Sequence, residues 1–345
     1  MNRRIADDPR LDPRIKALLS AMPEETTRDV TDRDELLALA TSPEALAQAE
    51  AAKMMMDLCD DETVAPSTGL RFATYEVSSS PDENTILLQL TRPDTDEQLA
   101  CVYYIHGGGM MSLSSFYGNY RAWARIVAAK GVAVVMVEFR NAVSPSAVPE
   151  VAPYPAGLHD CVSGLRWVID HASELGVDPA RVIISGESGG GNLALATTMA
   201  LVRSNDVHLV KGVYAMCPYI AGRWPDERLA SSIENNGIFL NLHSNVGRVG
   251  YGIEAFEAKD PLAWPLFATE DDVRDFPPTV ISVNECDPLR DEGVEFYRLL
   301  LRAGVAARGR QVLGTMHGTE LAPILCPEIS HDTARDLAAF ATSPR

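Results

Sequence analysis

A serine enclosed by glycines is the first feature of this 345-residue chain that suggests chemistry. Residues 186–190, GESGG, follow the apolar run VIIS and precede a helical pattern. The spacing G-x-S-x-G is typical of a sharp strand-to-helix turn that holds the hydroxyl of Ser188 clear of the backbone. Gly189, Gly191 and Ala194 also match G-x-G-x-x-A, a dinucleotide-binding pattern found in the same setting. The stretch alone therefore predicts either a nucleophilic serine or a phosphate-binding turn.

The position of these glycines in the chain argues against a dinucleotide site. Such a site places its glycine turn after the first strand and an acid about 20 residues later, at the end of the next strand. Here several strand-like runs precede Ser188, and the next run ends AMCPY, without an acid. A nucleophilic serine instead requires an earlier oxyanion-binding turn, a later acid and a final histidine, each placed after a strand. The nucleophile is therefore favoured if the rest of the chain supplies these three partners.

The oxyanion-binding turn is predicted at residues 106–109, HGGG. A strand-like run over residues 101–105 ends there, and three residues without a Cβ allow backbone N–H groups to approach a tetrahedral oxyanion closely. Alone, the stretch is equally explained by a tight chain reversal; the serine turn downstream favours the catalytic interpretation. Met110 and Met111 follow directly, and their soft side chains are candidates for lining an acyl or alcohol pocket. A second methionine cluster, at residues 54–56, is expected to fill the core instead.

Two aspartates in the sequence DPL compete for the role of the acid. Asp260 follows the helical stretch IEAFEA, whereas Asp287 closes the strand-like run TVISVNE, where a triad acid belongs. Asp287 is therefore the predicted acid. Its alternative role is that of a helix N-cap before Pro288 at the first helical position. Asp291, one helical turn later, is the remaining candidate.

The predicted base is His317. It lies in a turn just after the strand-like run QVLG and beyond Asp287 in the chain, which completes the order serine, acid, histidine. Three other histidines follow Ser188, but they lie between a helix and a strand, inside an insertion, or at the start of the final helix. These are His208, His243 and His331, respectively.

The elements that must position these residues alternate along the chain. From about residue 70, short apolar runs alternate with helical stretches, which predicts a mostly parallel sheet with helices on both faces. Residues 12–58 are helical in pattern, with a new helix starting at residues 42–44. Residues 220–277 separate two strands by more than a normal crossover. They are expected to form a small helical insertion over the site, joined by the N-terminal helices.

Composition limits the partners and the compartment. Lys and Arg number 30 against 48 Asp and Glu, so the net charge of −18 would repel nucleic acid and anionic membrane surfaces. No run approaches the ~20 apolar residues of a membrane span, and the N-terminus has no apolar core of signal-peptide length. A cytoplasmic protein that binds no nucleic acid and spans no membrane is expected. Six widely spaced cysteines predict buried thiols in a reducing compartment; they are Cys59, Cys101, Cys161, Cys217, Cys286 and Cys326. The sequence has no spacing of metal ligands that would predict a metal site.

Taken in order, HGGG, GESGG, DPLRDEG and a late His-Gly pair form a highly specific combined pattern. From about residue 70 to its end, the chain resembles the hormone-sensitive-lipase-like esterases, also called family IV lipolytic esterases. The resemblance implies an α/β-hydrolase fold, with a mostly parallel central sheet, helices on both faces and a helical cap. Residues 61–345 are then expected to form the catalytic domain. Residues 1–60 and the insertion at residues 220–277 are expected to build the cap.

The resemblance also implies roles for individual residues. The catalytic side chains are those of Ser188, Asp287 and His317, and the oxyanion hole is formed by the N–H groups of Gly108, Gly109 and Gly189. The family implies small carboxylic esters, commonly with short acyl chains, as substrates, and it implies no cofactor. Its members often dimerise, so a homodimer is one expectation for this chain.

Three departures from the family's usual motifs remove no catalytic atom. Glu187 and Gly189 occupy the variable places of the serine motif, residues 139–157 form an altered and longer loop, and His317 is followed by Gly-Thr. Two other functions stay open. One is an amidase or lactonase that uses the same triad, and the other is a non-catalytic ligand-binding protein on the same scaffold. The second usually lacks a triad member, and here all three are present.

Overall fold

An eight-stranded sheet forms the centre of the molecule in a computed structural model that describes residues 3–22 and 27–343. The strands are β1 Leu70–Ser78, β2 Thr85–Pro93, β3 Leu99–Ile105, β4 Ala133–Glu138, β5 Val177–Glu187, β6 Gly212–Met216, β7 Thr279–Asn284 and β8 Ala307–Val312. Their order across the sheet is β1-β2-β4-β3-β5-β6-β7-β8. β2 is antiparallel to β1 and β4, and the strands from β4 to β8 in this order are parallel. Parallel strands end at the same edge, so the segments that follow β3, β5, β7 and β8 can meet there.

Helices cover both faces of the sheet, which confirms the predicted α/β fold. They are α1 Arg3–Ala6, α2 Pro13–Ala21, α3 Arg33–Ala40, α4 Pro43–Asp57, α5 Gly118–Ala128, α6 Ala156–Asp170, α7 Ala172–Leu175, α8 Gly189–Arg203, α9 Ser231–Glu234, α10 Val246–Glu257, α11 Glu270–Val273, α12 Arg290–Arg302 and α13 Pro327–Thr342. α5 and α13 pack on one face, and α6, α8 and α12 pack on the other. Side chains of β3 alternate between the two cores: Cys101 and Tyr103 join one, Val102 and Tyr104 the other. All six cysteines are buried and unpaired, as predicted.

The strand β1 was not predicted from the sequence pattern. It lies at the edge of the sheet, and most of its residues are half-buried or exposed. Phe72, for example, is 55% exposed. An edge strand that faces solvent carries no continuous apolar run, and such runs were the signal for the other seven strands.

The N-terminal segment is less continuously helical than expected, because residues 27–32 between α2 and α3 are not helical. The predicted new start is confirmed at α4, where the Ser42 side chain accepts a hydrogen bond from the Ala45 N–H (3.2 Å). α4 has no buried residue, and Met54 and Met55 are 63% and 60% exposed. The expectation that this methionine cluster fills the core is wrong, because α4 lies on the surface.

The two halves of the N-terminal segment pack against different regions. Ile15 of α2 is fully buried in a cluster with Met316 and Cys326, next to the predicted base. α3 instead contacts α10 of the insertion. Just before α3, Val30 and Asn245 exchange two hydrogen bonds, of 2.8 and 2.7 Å. The early helices therefore pack beside the loop that contains His317, and the later ones join the insertion.

Residues 220–277 contain the helices α9, α10 and α11, which are joined by irregular segments and a 3₁₀ turn. The start of this insertion is held by the buried Glu292 of α12. Its carboxylate accepts hydrogen bonds from the N–H groups of Ile220 (2.6 Å) and Ala221 (3.1 Å) and from Trp224 Nε1 (2.7 Å). Within the described ranges, no helix is long and apolar enough to cross a membrane.

Candidate active site

Ser188 lies at the turn between β5 and α8, where the motif predicts it. Its φ of 57° and ψ of −121° are rare for a residue other than glycine, so the turn is strained. The Ser188 N–H donates to the Met216 carbonyl oxygen (3.0 Å), and the Ser188 carbonyl oxygen accepts from the Tyr219 N–H (3.0 Å). Both bonds join the turn to the end of β6. The serine is thereby fixed at the carboxyl edge of the sheet.

The glycine turn at residues 106–109 packs directly against the serine turn. A methyl group on Gly189 would lie 2.5 Å from the Met110 nitrogen and 2.7 Å from the Gly109 nitrogen, closer than a side chain can approach. Gly108 and Gly109 have φ angles of 94° and 62°, a region that favours glycine. Within the described residues, the N–H groups of Gly108, Gly109 and Gly189 have no hydrogen-bond acceptor. Donors from two segments therefore lie beside Ser188 and are available to a negatively charged oxygen.

His317 and Asp287 are in direct contact. His317 Nδ1 lies 2.7 Å from Asp287 Oδ2, and the side chain of Asp287 is fully buried while that of His317 is 7% exposed. The Leu289 N–H donates to the other carboxylate oxygen (2.9 Å) and fixes its orientation. Burial opposes a charge on the imidazole, but the Asp287 carboxylate and the nearby Cys217 outweigh it, so the pKa of His317 is raised well above its usual value. The pair has the properties of a base that is oriented by a buried acid.

The competing aspartates are engaged elsewhere. Asp260 accepts a hydrogen bond from the Tyr154 hydroxyl (2.7 Å), which joins the insertion to the altered loop. Asp291 accepts from the Ser231 N–H (2.8 Å) and from Arg290 Nε (2.8 Å). The structure therefore brings Asp287, rather than Asp260 or Asp291, to the histidine.

Ser188, Asp287 and His317 follow β5, β7 and β8, three strands that end at one edge of the sheet. Among these three side chains, His317 and Asp287 are joined by a direct hydrogen bond. The hydrogen bonds among the described residues include none from Ser188 to His317. In enzymes without substrate such bonds are often long, and they tighten when the substrate binds.

Glu187 connects the serine turn to the glycine turn. It is buried and accepts hydrogen bonds from the hydroxyls of Tyr104 (2.7 Å) and Tyr120 (2.6 Å), and the Tyr120 hydroxyl accepts from the Gly107 N–H (3.0 Å). Burial raises the pKa of Glu187 to about 7. The sequence indicated Glu187 as an unusual neighbour of the serine. The two tyrosines gave no signal of their own, because aromatic residues in strands and helices usually fill a core.

The two methionines predicted to line a pocket have different surroundings. Met110 is 1% exposed and belongs to the main core, whereas Met111 is partly buried. A methyl group on Gly109 would lie 3.4 Å from Met111 Cε and 3.9 Å from Tyr219 Cε1. Met111 and Tyr219 therefore flank the glycine turn. The Met111 carbonyl oxygen accepts N–H bonds from the altered loop at residues 139–157, which holds this segment in place.

A buried group of side chains at the same edge could hold a metal ion. Cys217 Sγ, a ring nitrogen of His317 and a carboxylate oxygen of Asp287 lie within 4.8 Å of one another. Burial raises the pKa of the Cys217 thiol to about 11, so the thiol is protonated at neutral pH. From the sequence, Cys217 is predicted only to be a buried thiol, because nothing in AMCPY indicates that it lies near His317.

Comparisons with known proteins identify the family of this chain. A family model for the alpha/beta hydrolase fold matches residues 102–321. Carboxylesterase NlhH of Mycobacterium tuberculosis is 32% identical over 251 residues, which are 72% of this chain and 75% of the relative. Esterase LipI of the same species is 30% identical over 253 residues, which are 72% of this chain and 74% of the relative.

Solved structures extend the similarity over the whole chain. Esterase Est22 is 60% identical and superposes with a TM-score of 0.96, covering 99% of this chain and 100% of its own. Brefeldin A esterase, a bacterial homologue of human hormone-sensitive lipase, is 35% identical with a TM-score of 0.85, covering 99% of this chain and 96% of its own. The chain therefore belongs to the α/β-hydrolase family and, within it, to the hormone-sensitive-lipase-like esterases, which makes it a carboxylic ester hydrolase.

Proposed function

We propose that this chain hydrolyses short-chain carboxylic esters through Ser188, His317 and Asp287, with an acyl-enzyme intermediate. The observation that carries the proposal is the buried 2.7 Å hydrogen bond between His317 and Asp287, at the sheet edge where Ser188 occupies a strained turn. His317 in its unprotonated form takes the proton of Ser188 as the serine oxygen attacks the ester carbonyl. Asp287 holds the imidazole in the required tautomer and stabilises the imidazolium that forms.

The oxyanion of the tetrahedral intermediate is bound by backbone donors. The N–H groups of Gly109 and Gly189 lie side by side, and Gly108 precedes them in the same turn. Such preorganised donors stabilise charge that develops in the transition state. His317 then gives its proton to the leaving alcohol, and water repeats the cycle on the acyl-serine.

The cap segments, which we define as residues 27–58 and 220–277, limit the length of the acyl chain. Support comes from Gly250 on α10, where three parts of the chain meet. A methyl group on Gly250 would lie 2.5 Å from Met111 Sδ and 2.9 Å from Leu36 Cδ2. Helix α3, helix α10 and the segment after the glycine turn therefore pack together beside the predicted oxyanion hole.

A pocket closed in this way favours small acyl groups. Each added CH₂ that enters the pocket contributes only about 0.8 kcal/mol of binding free energy, and a steric clash soon exceeds that gain. We expect activity to be highest for acyl chains of roughly two to six carbons and to fall steeply for longer ones.

A panel of p-nitrophenyl esters of increasing acyl length tests this function. p-Nitrophenol is a suitable reporter, because the related Est22 has been solved with it. Ser188→Ala should lower turnover by about 10⁴-fold or more while the protein stays folded. Ser185→Ala, which removes a hydroxyl from the strand β5 that precedes the turn, is the matched control and should keep its activity. Equal activity of the two variants, or efficient turnover only of amides or lactones, would contradict the proposal.

A further inference from the structure

Cys217 is a buried group that the proposed reaction does not use. It follows β6, which lies between β5 and β7 in the sheet. The end of β6 therefore falls between the strand that carries Ser188 and the strand that precedes Asp287. The Cys217 backbone has a φ of 34°, and its N–H donates to the Ser282 carbonyl oxygen of β7 (2.7 Å). This bond fixes the thiol at the sheet edge that carries the catalytic residues.

The three buried side chains offer a sulfur, a nitrogen and an oxygen ligand. Cys217 and Asp287 are 0% exposed and His317 is 6% exposed, and their ligand atoms lie within 4.8 Å of one another. Ligands of a tetrahedral Zn²⁺ ion, at about 2.0–2.3 Å from the metal, are roughly 3.3–3.6 Å apart. The three ligand atoms must therefore move closer together when a metal binds. A tetrahedral ion held by three protein ligands keeps a fourth position for water.

We propose that Cys217, His317 and Asp287 form a binding site for a thiophilic divalent cation such as Zn²⁺, and that the bound cation inhibits the enzyme. Thiolate and imidazole together select zinc-like ions over magnesium or calcium. On binding, the thiol and the protonated form of His317 each release a proton to solvent, and the ring nitrogen that is freed donates its lone pair to the metal. The imidazole is then held by the metal and can no longer take the proton of Ser188. Metal binding and ester hydrolysis therefore exclude each other, because both require His317.

A second group of potential ligands serves as the comparison. It consists of the partly buried Asp12, the buried Cys326 and the exposed Glu328. Arg14 forms ion pairs with both carboxylates of this group, so a cation would have to displace a positive charge. We expect this group to bind no zinc. Cys326→Ala is thus a matched control for Cys217→Ala.

Zinc inhibition of ester hydrolysis tests the proposal. This experiment rests on the proposed function, because ester hydrolysis is its readout. Each variant is compared with its own rate without metal, and a chelator must restore that rate. Cys217→Ala should need at least about tenfold more Zn²⁺ for half inhibition than the parent protein, because even groups beyond the ligands change metal affinity 10–100-fold. Cys326→Ala should be inhibited as the parent is. Equal inhibition of Cys217→Ala and the parent would overturn the proposal.

Metal binding measured without catalysis separates this proposal from the proposed function. Co²⁺ added to Ser188→Ala should give the near-ultraviolet charge-transfer band of a thiolate ligand, and the band should be lost in the double variant Ser188→Ala, Cys217→Ala. The double variant Ser188→Ala, Cys326→Ala should keep it. If the band is absent from Ser188→Ala, or persists without Cys217, the site does not exist, whatever the enzyme hydrolyses.

Discussion

The sheet edge that carries Ser188 and the cap segments are built in opposite ways. At the edge, Asp287 and His317 are almost wholly buried and follow strands that are paired along their length. In the cap segments, α4 has no buried residue, and residues 220–277 are largely irregular. Groups that need a fixed geometry are best held by rigid strands, whereas groups that select substrates tolerate a looser setting. The proposed function thus assigns the chemistry to the sheet edge and the substrate size to the cap segments.

Each of the two regions is nevertheless held in place by a buried glutamate. Glu187 joins the serine turn to the glycine turn through Tyr120, and Glu292 holds the start of the insertion at Ile220. Burial raises the pKa of Glu187 to about 7 and that of Glu292 to about 8. We therefore expect variants at the sheet edge to change kcat, variants in the cap segments to change the preference for acyl-chain length, and variants at Glu187 to change the pH dependence of stability.

The largest effect is expected at the sheet edge. Asp287→Asn should lower kcat by up to about 10⁴-fold, because an amide favours the wrong tautomer of His317. Asp260→Asn is the matched control, since Asp260 lies in the insertion and bonds to Tyr154 of the altered loop, and it should leave the chemistry largely intact. Steady-state kinetics on p-nitrophenyl butyrate, with thermal unfolding measured in parallel, makes the comparison. Comparable losses in two equally stable variants would mean that the acid has been misassigned.

An intermediate effect is expected in the cap segments. Gly250→Ala should push the Met111 side chain towards Gly109, because a methyl group there would lie 2.5 Å from Met111 Sδ. We expect kcat/KM to change little for acetyl esters and to fall by about tenfold or more for hexanoyl esters. The ester panel measures this change in chain-length preference.

Glu254→Ala is the control for Gly250→Ala, because Glu254 lies on the exposed side of α10. It should leave the chain-length profile unchanged. A Gly250→Ala enzyme with the parent profile would show that the cap segments do not limit the acyl chain.

The smallest effect is expected at Glu187, in the pH dependence of stability. Its pKa is about 7 in the folded protein against a usual 4.5, so the folded state binds the proton more tightly. The resulting stabilisation is complete below pH 4.5 and is lost as the pH rises through 7. Glu187→Gln carries no titrating proton, so the fall in Tm over this pH range should be shallower by a few degrees than in the parent. Glu254→Gln, an exposed carboxyl variant, should behave as the parent does, and parallel curves for Glu187→Gln and the parent would contradict the assignment.

Most of the fold could be predicted, because buried parallel strands leave continuous apolar runs in the sequence. Such runs indicated β2 to β8, and the residues that follow them include Ser188, Asp287 and His317. β1 could not be found in this way, because an edge strand exposed to solvent lacks the run. The surface position of Met54 and Met55 was also missed, because helical spacing does not show which face of a helix meets a partner.

The contacts between distant segments of the site could not be predicted from the sequence. The bonds of Tyr104 and Tyr120 to Glu187 join residues 83 and 67 positions apart. The position of Cys217 beside His317 depends on the neighbouring order of β6, β7 and β8, which no local pattern records. Motifs predict the residues that react, whereas the residues that position them depend on the packing of the folded chain.

The identity of the nucleophile is the central claim, and covalent labelling tests it most directly. The protein is treated with diethyl p-nitrophenyl phosphate, and the modified peptide is identified by mass spectrometry. We expect a single phosphoryl adduct on Ser188, formed in step with the release of p-nitrophenol and the loss of esterase activity, and slowed in Asp287→Asn because His317 is no longer held in the active tautomer. An adduct on any other serine, or a complete loss of activity without modification of Ser188, would contradict the account.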